Sequence, residues 1–202
     1  MMEILIATAN PHKVEEISAL LPRDLPVKFL ALTDFPHIKL PPETGSTLEA
    51  NAELKARAAA KASGHWALAD DTGLEVDALN GAPGVYSARY AGKERDYPAN
   101  NTKLLKEMAQ VPPEKRTARF RCVVAIASPQ GELLLAEGKL EGRIATKATG
   151  SNGFGYDPLF IPQGRDITLA QLSFEEKNGI SHRADSLQKA AGIIRRLADK
   201  YK

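Results

Sequence analysis

Asp70 and Asp71 are adjacent carboxylates that follow the apolar run Trp66-Ala67-Leu68-Ala69 and lead into Thr72-Gly73. The run reads as a buried strand, which puts the pair at a strand end, where open α/β sheets place their ligands. Carboxylates there suit Mg²⁺ when phosphate oxygens complete its shell, and one of them can orient or deprotonate a water. Asp-Asp-Thr-Gly is equally good turn chemistry with no function attached. Glu43, ahead of Thr44-Gly45 in a proline-rich loop, is a further acid that can converge on the pair, although loop glutamates are more often solvated.

Thr8-Ala9-Asn10-Pro11-His12-Lys13 follows another short apolar run, Ile4-Leu5-Ile6-Ala7. A strand that delivers a small polar turn to a helix N-terminus gathers backbone N–H groups and the positive end of the helix dipole, and Lys13 adds a full charge. That outlines a phosphate site, but a capped helix with solvated His12 and Lys13 has the same composition. The phosphate loop Gly-x-x-x-x-Gly-Lys-[Ser/Thr] occurs nowhere in the chain.

A third group is Phe154-Gly155-Tyr156-Asp157, with Lys177, His182 and Arg183 downstream. Aromatic faces stack on bases, glycine lets backbone approach closely, and Asp, Lys and Arg read base edges. The plainer alternative is core packing for the aromatics and a solvated helix start for Lys177 and Arg183. Other chemistries lack support. The four histidines show no zinc-ligand spacing, Cys122 is the lone cysteine and lies in an apolar run, and there is no Gly-x-Ser-x-Gly elbow.

Positioning these groups requires alternating strands and helices. Ile4–Ala7 reads as a strand, Asn10 as a helix cap and Pro11 as a first helical residue, with Val14, Ile17, Leu20 and Leu21 at helical spacing. A short strand is expected near Val27–Leu32, then loop. Ser46-x-x-Glu49 has the form of a capping box before an alanine-rich helix closed by Gly64. Leu74-Glu75-Val76 reads as extended and residues 100–108 as a short helix. Residues 117–127 and 132–140 flank Pro129-Gln130-Gly131 and read as a β-hairpin, which makes the sheet mixed. A short strand at 158–161, a capping box at Ser173-x-x-Glu176 and a long final helix carrying Leu187, Ala190, Ala191, Ile194 and Leu197 complete the pattern.

The chain has 202 residues, 43% of them hydrophobic, with 27 Lys and Arg against 25 Asp and Glu, a net charge of +2. That is enough chain for one large domain or two packed lobes, and it excludes disordered and strongly acidic classes. Two surplus charges do not make a nucleic-acid coat or a membrane patch, so no nucleic-acid or membrane partner is expected and any anion must be met locally. The N-terminal residues lack a basic region ahead of their apolar stretch, so no signal peptide is read and the cytoplasm is the expected location.

These strings occur in one order along the chain: Thr8-x-Asn10-x-x-Lys13, Glu43-Thr44-Gly45, Asn51-x-x-x-Lys55, Ala69-Asp70-Asp71-Thr72-Gly73-Leu74, Gly81-Ala82-Pro83-Gly84-Val85-Tyr86-Ser87-Ala88-Arg89-Tyr90, Phe154-Gly155-Tyr156-Asp157-Pro158 and Ser181-His182-Arg183. Together they closely resemble the inosine triphosphate pyrophosphatase family, essentially end to end. The resemblance implies hydrolysis of ITP, dITP and XTP between the α and β phosphates, Mg²⁺ as cofactor and a homodimer. The implied fold is α/β, an elongated mixed β-sheet flanked by helices, with two lobes around a central nucleotide-binding cleft in a single domain over 1–202.

Carried over by position, Thr8, Ala9, Asn10, Pro11, His12 and Lys13 would line the phosphates, with Lys55 adding charge. Asp71 would be general base and metal ligand, Asp70 and Glu43 further metal ligands, and Thr72 a substrate contact. Phe154 and Gly155 would meet the base, with Tyr156, Asp157, Lys177, His182 and Arg183 framing its edge. A fixed donor such as Lys177 or Arg183 would donate to a 6-carbonyl and leave adenine mismatched, so Arg183→Ala and Phe154→Ala are each expected to raise the KM for ITP. A Maf-like pyrophosphatase for other modified nucleotides and a non-catalytic nucleotide-binding protein are the alternatives. The Phe-Gly-Tyr-Asp and Ser-His-Arg strings weigh against the first, and the intact Asp70-Asp71 against the second.

Overall fold

The computed structural model describes residues 1–201. Its strands are β1 (Met2–Ile6), β2 (Val27–Ala31), β3 (Trp66–Val76), β4 (Pro83–Gly84), β5 (Thr117–Ala127), β6 (Leu133–Ile144) and β7 (Phe160–Pro162). Its α-helices are α1 (Pro11–Leu20), α2 (Leu48–Ser63), α3 (Tyr97–Glu107), α4 (Phe174–Asn178) and α5 (His182–Lys200). Strand order is β2-β1-β3-β5-β6-β7, with β4 on β3. β1 runs parallel to both β2 and β3, whereas β4 and β7 are antiparallel to β3 and β6. The sheet is therefore mixed and helices flank it, as the sequence predicts. No described helix is long and apolar enough to cross a membrane.

The chain forms two compact units. Unit 1 comprises Met1–Asp71, Cys122–Gly138 and the chain from Arg183 onward; unit 2 comprises Thr72–Arg121 and Lys139–His182. No linker separates them, because β3, β5 and β6 each contribute residues to both. Unit 1 has its own core of Ile4, Ile17, Leu68, Val124, Ile126, Leu187 and Ile194. Ile4 and Leu5 are completely buried, as a strand with parallel neighbours on both edges requires. Unit 2 is built on Leu74, Leu104, Met108, Phe120, Tyr156, Leu159 and Phe160.

Local signals explain most boundaries. The Asn10 side chain caps α1 by accepting from the His12 N–H, with Pro11 in the first turn. The hairpin turn is where Pro129-Gln130-Gly131 places it: the Gly131 N–H donates to the Ser128 carbonyl at 3.1 Å, and Gly131 adopts a φ of 102°. Three expectations are corrected. α2 is capped by Thr47, whose hydroxyl accepts from the Ala50 N–H, and not by Ser46. α3 starts earlier than residue 100 because Asp96 supplies its cap, accepting from the Ala99 N–H.

The third correction concerns β3. Asp70 and Asp71 lie inside one continuous strand and not at a strand end. Successive strand side chains point to opposite faces of a sheet. The two adjacent aspartates therefore meet different surroundings, which no turn reading of Asp-Asp-Thr-Gly anticipates.

Candidate active site

Unit 1 holds the acids and most of the cations. α2 presents Leu48, Asn51, Ala52, Lys55, Ala56 and Ala59 on its buried face. Asn51 and Lys55, at i and i+4, are polar members of an otherwise apolar stripe. The Asn51 amide donates to Asp71 Oδ2 at 3.1 Å and, through its oxygen, accepts from the Gly45 N–H at 2.7 Å. One side chain thus joins the Glu43-Thr44-Gly45 loop to β3. Gly45 is needed for this approach, since a Cβ there would lie 2.7 Å from the Asn51 oxygen and 2.8 Å from the Ala50 Cβ.

Lys55 Nζ lies 2.6 Å from Glu43 Oε1 and 3.4 Å from Asp71 Oδ1, so both carboxylates converge on one ammonium. Burial alone would weaken the hold of Lys55 on its proton, but Asp71, Asp70 and Glu43 outweigh it and hold Lys55 charged. For Asp71 burial wins. Together with the nearby charge of Glu43 it raises the carboxyl's pKa above the ordinary value, against the opposing pull of Lys55, Lys13 and the Asn51 hydrogen bond.

Asp70 faces other partners. Its Oδ2 lies 2.9 Å from Lys13 Nζ and 3.1 Å from Arg183 Nη2, and the Cys122 thiol donates to it at 3.8 Å. Burial would raise its pKa, yet Lys13 and Arg183 hold it well below the carboxylate range. Arg183 is also paired with Glu16, from the buried side of α1. The Arg183 side chain is 1% exposed and bound between two acids of unit 1. The reason is its place in the first turn of α5, whose start is buried and not solvated.

The expected metal ligands divide in the same way. Asp71 and Glu43 form an oxygen pair that fits a hard divalent cation whose remaining ligands are phosphate and water. A metal at either place would compete with cations already there: Lys55 at Asp71 and Glu43, and Lys13 with Arg183 at Asp70. Among the described residues no group of three or more His, Cys, Asp and Glu is arranged to hold a metal by itself. Of the phosphate turn, Ala9, Pro11 and His12 are exposed and Thr8 half-buried, with the Thr8 hydroxyl accepting from the Asn10 N–H at 3.2 Å. Thr72, half-buried, belongs to unit 2.

Unit 2 holds the aromatic element. Asp157 Oδ2 accepts from the Phe154 N–H at 2.9 Å and from Lys177 Nζ at 2.6 Å, and that ammonium lies 4.8 Å from the Phe154 ring centre. The Tyr156 hydroxyl donates to the Ser87 carbonyl at 2.9 Å. Burial raises its pKa further above the ordinary phenol value. Tyr156 and Asp157 are therefore hydrogen-bonded into the scaffold of the loop that carries Phe154. His182 stacks on Phe120, with ring centres 4.7 Å apart and planes 13° apart. The Gly81–Tyr90 string, which carries no assigned chemistry in the sequence, supplies Ser87 to Tyr156.

Asn51 and Glu16 have no role legible from the strings alone. Asn51 carries a legible signal, a polar residue on the alanine stripe one turn before Lys55. Glu16 carries none, since its partner is 167 residues away.

The mixed sheet with flanking helices, the buried carboxylate–lysine clusters of unit 1 and the braced aromatic loop of unit 2 define an α/β protein. The Ham1 family model matches residues 4–193. The chain is 52% identical over 197 residues to the dITP/XTP pyrophosphatase of Elusimicrobium minutum, covering 96% of this chain and 100% of that protein. It is 49% identical over 195 residues to the dITP/XTP pyrophosphatase of Bacillus subtilis, covering 96% and 98%. The solved structure of a HAM1 protein from Coxiella burnetii superposes with a TM-score of 0.89 at 42% identity, over 97% of this chain and 100% of that one. The chain belongs to the Ham1 family.

Proposed function

We infer that this protein is a nucleoside triphosphate pyrophosphatase that hydrolyses ITP, dITP and XTP to the monophosphate and pyrophosphate, removing deaminated purines from the nucleotide pool. The observation that carries this reading is near full-length identity of about half to relatives named dITP/XTP pyrophosphatase. Within the chain it is supported by a buried carboxylate of raised proton affinity held against a lysine.

Pyrophosphatases of this family work with a divalent metal ion, and Mg²⁺ is our assignment here. When bound at Asp71 and Glu43 it supplies charge neutralisation on the phosphate oxygens. The chain's own groups do the rest. Lys13 and Lys55 add positive charge, and the Thr8–Lys13 turn at the start of α1 offers its N-terminus to the phosphates. Asp71 accepts a proton from the attacking water, a task its raised pKa favours. Water's oxygen bonds to phosphorus, the α–β anhydride breaks, and the charge leaves on pyrophosphate. Asp70 is the fixed anion that anchors Lys13 and Arg183.

Phe154 is assigned as the stacking face for the base and Lys177 as the donor for the 6-carbonyl. Adenine offers an amino group there, and a buried polar mismatch of about 1–3 kcal/mol discriminates several-fold to over a hundredfold. Residues 1–202 act as one catalytic domain, in the cytoplasm, as a homodimer.

The test is a panel of ITP, XTP, GTP, ATP and dTTP with Mg²⁺, separating pyrophosphate from orthophosphate. Pyrophosphate from ITP and XTP, with little from ATP, is expected; orthophosphate as the primary product would defeat the assignment. Phe154→Ala is expected to raise the KM for ITP by roughly 5- to 100-fold, the value of one stacking contact, with inhibition by pyrophosphate unchanged. An unaltered KM would remove Phe154 from the base.

A further inference from the structure

We propose that Asn101 on α3 is a positioning residue that sets the Phe154 ring for the base, a role that rests on the stacking function assigned to Phe154 above. The loop is braced at successive residues. Asp157 takes the Phe154 N–H, Asn101 Nδ2 donates to the Gly155 carbonyl at 3.0 Å, and Tyr156 reaches Ser87. Asp157 and Tyr156 are part of the aromatic string itself. Asn101 lies outside every string that the sequence singles out, and it is the brace supplied by α3.

Two further observations point to the same residue. Tyr97, one helical turn earlier on α3, has its ring centre 6.0 Å from that of Phe154, so the face of α3 that carries Asn101 also touches the aromatic ring. The other amide atom, Asn101 Oδ1, is buried without a hydrogen-bond partner. An unsatisfied buried carbonyl costs free energy that leucine at the same position would not incur. For stability alone an amide is a poor choice here. What it contributes is the hydrogen bond to Gly155, and Gly155 adopts a φ of 64°, a left-handed turn directly after Phe154 that this bond holds in register.

The role predicts a separation of binding from stability and from chemistry. The experiment measures calorimetric binding of inosine monophosphate and, separately, of pyrophosphate to the full chain. The variants are Asn101→Leu, Asn101→Asp, Phe154→Ala and the double variant Asn101→Leu/Phe154→Ala, alongside turnover of ITP and thermal unfolding. Asn101→Leu is expected to weaken inosine monophosphate binding about tenfold, within the range of a stacking contact. Pyrophosphate binding and kcat should stay within about twofold and Tm should not fall. In the Phe154→Ala background Asn101→Leu should add nothing, because the two act through the same ring.

Asn101→Asp keeps the volume but turns an acceptor toward the Gly155 carbonyl, so it reproduces the loss even if the leucine variant does not fold. Unchanged inosine monophosphate binding in both variants overturns the proposal. So does a loss that adds in full to that of Phe154→Ala. A wild-type chain that binds inosine monophosphate yet releases no pyrophosphate from ITP would defeat the proposed reaction instead, and the binding comparison would still decide the role of Asn101.

Discussion

Asp71→Asn is expected to release pyrophosphate from ITP about 10²–10⁴-fold more slowly than the wild type, the usual contribution of a positioned general base. The variant should still bind ITP, because Lys13 and Lys55 remain, and it should unfold at nearly the same temperature. A carboxyl whose pKa is raised on folding is one whose charge the fold disfavours. Replacing it with a neutral amide of equal size costs the fold little, and the Asn51 amide keeps an oxygen to donate to. Lys55 loses one counter-ion and retains Glu43 at 2.6 Å. Rapid-quench turnover, calorimetric binding and a thermal melt on one preparation check all three statements, and near-normal turnover would take Asp71 out of the reaction.

Arg183→Ala should do the opposite: its first effect is on the fold. The guanidinium is 1% exposed and neutralises Glu16 and Asp70, so its removal leaves buried acids short of their cation. Breaking a buried pair in this way costs about 3–5 kcal/mol, which for a chain of this size lowers Tm by roughly 6–20 °C. The pH dependence separates this from a simple packing defect. The Asp70 pKa is depressed in the folded state, so its contribution to stability is complete above the unfolded value near 4 and is lost as pH falls. Without Arg183 the depression is smaller. The Tm gap between variant and wild type should therefore be widest near pH 7 and narrow below pH 4. A gap that stays constant with pH would show that the ion pair with Asp70 is not the source of the loss. A rise in KM for ITP with an unchanged Tm would return Arg183 to the base edge that the family resemblance implies.

The contrast between these neighbouring aspartates shows how far a sequence carries. Asp70-Asp71 is conspicuous as a string, and the chemistry of paired carboxylates beside a phosphate turn is legible without coordinates. What the string does not contain is that the two acids face different partners. Reading 66–69 as the strand and 70–73 as a turn leaves both acids in one environment. Once β3 runs from Trp66 to Val76, alternation sends them to opposite faces, one to Lys13 and Arg183 and the other to Asn51 and Lys55. The same holds for Tyr156 and Asp157. Their types suit a base edge, and nothing in the string shows their hydrogen bonds to Ser87, Phe154 and Lys177.

By itself the sequence determined the local physics: where helices begin through Asn10 and Ser173, where the hairpin turns at Gly131, and which runs are buried. Those properties depend on residues within a few positions of one another. Tertiary structure alone decided the partners. Arg183 meets Glu16 across 167 residues and Asp70 across 113, and Asn101 meets Gly155 across 54. The proton affinity of a buried acid is set by burial and by the charges brought against it, and neither is encoded in its own neighbourhood along the chain.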